Sequence, residues 1–190
     1  MNIFLIGYRC TGKTSAGNAL SKKLELAFVD ADRRLVEKEG KTIAEMVAEQ
    51  GWDYFRQREK EILKSICALD GQVIATGGGV VLDSENVAAM KRCGRLIWLQ
   101  AAPETIRKRM LKDDLTTGQR PALTSQGAAD EIETTLKDRT PYYQAAMDFS
   151  IDTDGRSVGD ICEMIVKRLK DNSNKLRVTG DEKNAGRSGS

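Results

Sequence analysis

A strand signal, a glycine-bearing turn and a helix signal follow one another at the start of this chain, and that order restricts the fold more than any other feature. The apolar run Ile3-Phe4-Leu5-Ile6 leads straight into Gly7-Tyr8-Arg9-Cys10-Thr11-Gly12-Lys13-Thr14, which fits the pattern GxxxxGKT, and a helical pattern follows over Lys13–Leu24. The parts of the pattern have separate physical jobs. The turn lets backbone N–H groups wrap phosphates, Lys13 reaches the outer phosphates, and the Thr14 hydroxyl can ligate Mg²⁺. A chance match in a turn would not bring both the strand and the helix. The pattern implies a nucleoside triphosphate site at the end of the first strand of an α/β sheet.

Size and charge limit what such a site can belong to. The 190 residues are enough for one domain with a real core and short for two. With 30 Lys+Arg against 28 Asp+Glu, the net charge argues for neither a nucleic-acid nor a membrane partner. No apolar stretch approaches the length of a membrane span, and Met1-Asn2 enters the first strand without a charged-then-apolar leader, so a cytoplasmic protein is expected. Cys10, Cys67, Cys93 and Cys162 show no CxxC spacing, which points to free thiols rather than to a zinc site or a disulfide framework. The chain contains no histidine, so proton transfer must use carboxylates, lysines or water. That suits phosphoryl transfer, where positioning and charge stabilisation dominate.

Strand and helix signals alternate along the rest of the chain, as a parallel sheet with crossover helices requires. Strands are predicted at Ile3–Ile6, Ala27–Val29, Val73–Ala75, Leu96–Leu99 and Phe149–Ile151, giving a five-stranded sheet with helices on both faces. Thr42-Ile43-Ala44-Glu45 reads as a capping box, Pro103 as a first-turn proline, and Ser157 leads apolar residues at helical spacing. The segment Thr42–Leu69 carries no strand signal and should form two helices around Gln50-Gly51, overhanging one side of the site. After Leu169 the composition becomes polar and rich in Gly, Ser and charge, which predicts a flexible tail over 170–190 without catalytic importance.

Open α/β sheets bind ligands beyond the carboxyl ends of their strands, so the residues that follow each apolar run are the functional candidates. After the second strand come Asp30 and Asp32. If the strand runs through both, they share a face; if it ends at Asp30, Asp32 could cap the helix beginning near Arg33. The functional alternative gives Asp30 a water-mediated Mg²⁺ contact and gives Asp32 the acceptor hydroxyl, whose proton it could take. After the third strand come Thr76 and Gly77-Gly78-Gly79. Three successive glycines make sense either as a plain turn or where a ligand must approach the main chain closely. Thr76 stands where a P-loop enzyme commonly has a metal-binding aspartate, which raises the value of Asp30.

Arg56, Arg120 and Arg139 stand out by position. Singly, each reads as a solvated surface charge; as a set they could hold a carboxylate and a transferring phosphoryl group, since guanidinium forks match both bidentately. The stretch Lys112–Ser125 looks like a mobile lid carrying Arg120.

On these motifs in order, the chain resembles the shikimate kinases, small P-loop kinases of the nucleoside-monophosphate-kinase fold. The resemblance runs from Asn2 to about Leu169. It rests on GYRCTGKT, Asp30-Ala31-Asp32, Phe55-Arg56 with Glu59, the triple glycine, Arg120-Pro121, and Arg139 with Tyr143. It implies a three-layer α/β/α domain over 1–169, with a substrate-binding insertion at about 31–69 and a lid at about 112–125. The implied reaction is transfer of the ATP γ-phosphate to the 3-hydroxyl of shikimate, in the pathway to aromatic amino acids, by a monomer with Mg²⁺. Carried onto this chain, Gly7, Cys10, Thr11, Gly12, Lys13, Thr14 and Ser15 would hold the phosphates, and Arg120 and Arg156 would also contact ATP. Asp32, Arg56, Gly77, Gly78, Gly79 and Arg139 would bind shikimate, with its carboxylate on Arg56 and Arg139. Lys13, Asp32 and Arg120 would be catalytic, and Thr14 and a water from Asp30 would hold the metal. Members of the family usually have a further glycine where this chain has Cys10, a position that would be strained if it needs φ > 0. Lys112 is a candidate to stack on adenine. The rival readings are a P-loop kinase for gluconate or a nucleotide, and a non-catalytic nucleotide sensor.

Overall fold

Every strand of the sheet is short and parallel to its neighbours, so each connection must cross over through helix. The computed structural model describes the backbone of residues 1–112 and 128–185 and, within these, the side chains of all but 128–130 and 172–185. In chain order the elements are β1 (Asn2–Ile6), α1 (Lys13–Leu24), β2 (Ala27–Asp30), α2 (Ala31–Glu39), α3 (Ile43–Cys67), β3 (Gln72–Ala75), a 3₁₀ turn (Val80–Leu82), α4 (Ser84–Cys93), β4 (Gly94–Gln100), α5 (Pro103–Lys112), α6 (Ala128–Ala146), β5 (Phe149–Asp152) and α7 (Val158–Ala185). The sheet order is β2-β3-β1-β4-β5, with β1 at the centre.

The central strand shows why this fold follows from this sequence. Along β1, Ile3 and Leu5 enter one apolar cluster and Phe4 and Ile6 enter another, so alternate side chains serve the two faces of the sheet. One cluster joins Ala16 and Leu20 of α1 to Ile161, Cys162 and Ile165 of α7. The other joins Leu35 of α2, Met46, Phe55 and Ile62 of α3, Met90 of α4 and Tyr143 of α6. A smaller third cluster, Tyr8 with Ile106 and Ile132, sits under the phosphate loop. Burying both faces gives the three-layer α/β/α arrangement that the strand spacing predicts.

Local signals explain the helix limits. Thr42 and Glu45 form the predicted capping box, the Thr42 hydroxyl accepting from the Glu45 amide at 3.2 Å and the Glu45 carboxylate accepting from the Thr42 amide at 2.7 Å. Gly51, at φ 84° and ψ 173°, breaks α3 into two rods at the predicted place. At β2 the outcome differs from the helix-cap reading: Asp30, not Asp32, is the cap of α2, accepting from the Arg33 amide at 3.1 Å, and Asp32 lies in the first helical turn. The strand therefore stops two residues too early for the two carboxylates to share a strand face.

The end of the chain also departs from expectation. Helix α7 continues to Ala185, into the 170–190 stretch read as a flexible tail. The composition reading weighed burial alone, whereas helix formation is local. No proline follows Pro141, and Lys175, Leu176, Arg177, Glu182 and Lys183 are good helix formers.

Candidate active site

The phosphate loop fills the turn from β1 to α1 and is shaped by three positive-φ residues. Gly7 has φ 138° and Gly12 has φ 94°. A Cβ on Gly7 would lie 2.4 Å from the Leu99 carbonyl oxygen, so glycine is required there by both conformation and space. Cys10 has φ 59°, the left-handed conformation that its place among glycines suggested, and it is half-buried against the Tyr8 cluster. Its carbonyl accepts from Arg109 of α5 at 3.3 Å; Arg109 also donates to the Thr153 hydroxyl at 3.0 Å and the Thr153 carbonyl at 2.8 Å, tying the loop to the turn after β5. The Thr11 hydroxyl donates to the Tyr8 carbonyl at 2.8 Å. Lys13 is buried, with its ammonium donating to the carbonyls of Gly7 at 2.8 Å and Tyr8 at 2.6 Å, across the mouth of the loop. Thr14 and Ser15 are exposed at the start of α1. The Thr14 hydroxyl donates to a carboxylate oxygen of Asp30 at 2.8 Å, which brings the two predicted metal-site residues together.

Beside the loop opens a cleft of about 480 Å³ of empty volume. Asp32, Arg56, Gly77, Gly78, Gly79 and Arg139 all line it, though they come from α2, α3, the turn after β3 and α6. Tyr8, Arg9, Ile43, Trp52, Phe55 and Glu59 complete the wall. The gap between β3 and the 3₁₀ turn explains the triple glycine: a Cβ on Gly77 would stand 2.7 Å from a Glu59 carboxyl oxygen and 2.8 Å from one of Asp32, and a Cβ on Gly79 would stand 2.2 Å from the Arg56 guanidinium. Charged side chains lie flat on bare backbone here, which a plain turn would not need.

Arg56 is fixed on several sides. It donates to Glu59 at 2.6 Å one turn along the helix, and its guanidinium lies 4.9 Å from the Phe55 ring centre and 5.6 Å from that of Trp52. Glu59 is buried and its other carboxyl oxygen has no hydrogen-bond partner. Burial raises its carboxyl above the ordinary range, Arg56 pulls it back, Asp32 raises it further and Arg139 lowers it. Two carboxylates and two arginines thus feel one another across the cleft floor. Tyr143, on the same helix as Arg139, is fully buried; it stacks on Trp98 at 5.5 Å and donates to the Gly78 carbonyl at 2.5 Å. Burial pushes its phenol up to about 12, against the opposing pull of Arg139, so it remains a donor at neutral pH.

Two predicted residues stand apart from this cleft. Arg156 lies in the turn after β5, donating to the Asp152 carbonyl at 2.9 Å, at the strand end shared with the phosphate loop but not on the cleft wall. Arg120 and the lid from residue 113 onward lie outside the described residues. The sequence reading passed over Arg9, Tyr8 and Trp52 as site residues and used Glu59 and Tyr143 only as motif positions. Glu59 could have been found from its i,i+3 spacing to Arg56. Arg9 and Tyr8 occupy positions that the GxxxxGKT pattern leaves free, so the pattern itself gave no signal.

A phosphate loop at the head of β1, in a five-stranded parallel sheet, beside a cleft lined by paired arginines and carboxylates, defines a small P-loop kinase. Comparison with known proteins narrows the class. The family model for shikimate kinase matches residues 9–170, and the chain belongs to the shikimate kinase family. It is 39% identical over 177 residues to a shikimate kinase of Syntrophus aciditrophicus, covering 89% of this chain and 91% of the relative. Over 171 residues it is 39% identical to one of Symbiobacterium thermophilum, covering 90% and 97%. The solved shikimate kinase from Acinetobacter baumannii in complex with shikimate superposes with a TM-score of 0.84 at 29% identity, covering 90% of this chain and 93% of that one. A gluconokinase from Sinorhizobium meliloti superposes with a TM-score of 0.64 at 14% identity, covering 94% and 96%, which shows a shared fold alone.

Proposed function

We propose that this enzyme transfers the γ-phosphoryl group of ATP to the 3-hydroxyl of shikimate, forming shikimate 3-phosphate and ADP in aromatic amino-acid biosynthesis. The observation that carries the reading is the convergence of Arg56 and Arg139 on one cleft with Asp32, next to the phosphate loop. A carboxylate held by the two guanidinium groups leaves the ring hydroxyls to Asp32 and the Gly78 backbone. Asp32 orients the attacking hydroxyl and takes its proton as the new O–P bond forms and the bond to ADP breaks. Lys13, at the loop mouth, meets the charge that develops on the transferring group. Arg120 and Arg156 keep the nucleotide contacts that family resemblance gives them.

The donors near the loop suit Mg²⁺. Among the described residues no group of three or more His, Cys, Asp or Glu could hold a metal, so an ion must draw most of its ligands from phosphates and water, the habit of Mg²⁺. The Thr14 hydroxyl and, through water, the Asp30 carboxylate would hold it. When bound, the ion neutralises charge on the β- and γ-phosphate oxygens. None of the four cysteines is in a disulfide, which fits the reducing cytoplasm, and among the described residues no helix is long and apolar enough to cross a membrane.

The test is a coupled assay for ADP with ATP and Mg²⁺. Shikimate should stimulate ADP formation far above the ATPase background, and gluconate and nucleoside monophosphates should not. Stimulation by another acceptor but not by shikimate, or by none, would sink the reading.

A further inference from the structure

A third arginine faces the acceptor cleft, and no phosphate-loop rule assigns it. Arg9 occupies a free position of the loop pattern, yet its side chain lines the cleft alongside Asp32, Arg56 and Arg139. Only 12% of that side chain is exposed, and it forms an ion pair with Glu131 of α6, whose side chain is 3% exposed. Its Nε donates to the Tyr8 hydroxyl at 3.2 Å, and its guanidinium lies 5.5 Å from the Tyr8 ring centre. The main chain of Arg9 runs close to the glycine turn: a Cβ on Gly78 would be 3.5 Å from the Arg9 nitrogen. Arg9 therefore stands at the seam where the phosphate loop meets the acceptor.

The charges say what the seam is suited to. Arg9, Arg56 and Arg139 are offset by Asp32, Glu59 and Glu131, so the cleft is close to neutral before anything enters. An acceptor carboxylate engages Arg56 and Arg139. After transfer, the acceptor carries in addition a phosphate of nearly two negative charges, and that group lies on the loop side, where Arg9 is the arginine at hand. A guanidinium fork binds phosphate bidentately and cannot escape by losing its proton. Glu131 holds the same guanidinium, so phosphate and carboxylate compete for it. As a device for stability alone, a buried pair at a cleft wall gains little over its desolvation cost.

We propose that Arg9 is a product-side phosphate ligand and that Glu131 is its built-in competitor, which recaptures the arginine and hastens release of the phosphorylated acceptor. The proposal rests on the shikimate kinase reading and adds a residue pair to it.

Calorimetric titration of the full chain with shikimate and with shikimate 3-phosphate, together with product-inhibition kinetics, tests it. Arg9→Met should weaken shikimate 3-phosphate by roughly ten- to a hundredfold, the loss of a contact to a charged group, and weaken shikimate far less. Arg9→Lys, which keeps the charge and loses the fork, should fall between. Glu131→Gln should act in the opposite direction, tightening the product and deepening product inhibition. Equal weakening of acceptor and product by Arg9→Met, or a product affinity unmoved by Glu131→Gln, would overturn the assignment. If Arg9→Met fails to fold in a thermal melt, the opposed shifts of Arg9→Lys and Glu131→Gln decide the matter. A wild-type enzyme that turns over shikimate while the variants bind product normally defeats the Arg9 proposal alone; a wild type that does not turn over shikimate defeats the reading beneath it.

Discussion

The donor and acceptor halves of this site touch, yet they are built on opposite plans. The donor half is contiguous in sequence and made chiefly of backbone: Gly7, Cys10 and Gly12 set the turn by their positive φ, and the Lys13 ammonium bridges two of its carbonyls. The acceptor half is dispersed and made of side chains. Its members arrive from four elements and hold one another: Glu59 on Arg56, Asp32 and Glu59 over Gly77, Arg56 over Gly79, Tyr143 on Gly78. A local backbone device fails as a unit, whereas a network of paired side chains fails unevenly, because removing one partner leaves another buried without compensation.

The largest effect that bears on this contrast is expected at Arg139. Arg139→Ala removes one arm of the proposed carboxylate grip and one of the charges that restrain the buried Glu59. Loss of one partner of such a pair costs about 2–5 kcal/mol. Steady-state kinetics should show a large rise in the shikimate KM and a small change in the ATP KM. Equal increases for the two substrates would mean that the halves are not independent and that Arg139 serves the fold.

A smaller and more selective effect is expected at Tyr143, whose hydroxyl bonds the Gly78 carbonyl and also meets the Arg139 side chain. Tyr143→Phe keeps the stack on Trp98 and removes the hydroxyl's hydrogen bonds, so stability should drop by about 0.5–1.5 kcal/mol for each bond lost. Because the bond to Gly78 aligns the glycine turn, kcat/KM for shikimate should fall while the ATP KM stays put. A variant with lowered thermal stability and an untouched shikimate KM would reduce Tyr143 to a core residue.

The same contrast explains what could be read from the chain. The strands, the break at Gly51 and the phosphate loop are legible because each depends on neighbours in sequence: apolar runs, a capping box, a glycine at a bend. Cys10 was flagged by family resemblance, since members usually have glycine where the GxxxxGKT pattern itself leaves the position free. The acceptor wall was legible as strand-end candidates and a set of arginines, but its assembly into one shikimate site came only through family resemblance, because no local rule links Asp32 to Gly77 or Tyr143 to Gly78. The capping role of Asp30 was misjudged for a similar reason. Whether a strand ends at Asp30 or runs on through Asp32 depends on where the partner strand stops, and Asp30 is the last residue paired with β3, opposite Ala75. Arg9 stayed hidden because a pattern marks the positions it needs and is silent about those it leaves free.

The smallest expected effect lies in the donor half, where a backbone plan makes a sharp claim about one side chain. At φ 59°, Cys10 bears the left-handed penalty of an L-residue, about 1–2 kcal/mol. Glycine there relieves that strain but gives up about 0.4–1 kcal/mol through the greater freedom of the unfolded chain. It also loses the contact of the Cys10 side chain with the cluster around Tyr8, a methylene-sized loss of about 0.8 kcal/mol plus whatever the sulfur contributes. These terms nearly cancel, so Cys10→Gly should leave stability within about 1 kcal/mol of wild type. Cys10→Ala separates them, because alanine keeps the strain and forfeits the sulfur contact. Chemical denaturation should therefore place the glycine and alanine variants within about 1 kcal/mol of each other, because the strain that alanine keeps is offset by the unfolded-state term and the methylene contact that glycine gives up. Alanine above glycine by more than about 1 kcal/mol, the sum of the unfolded-state and methylene terms, would mean that the loop holds Cys10 without strain, and that packing rather than backbone angle fixes this corner of the donor half.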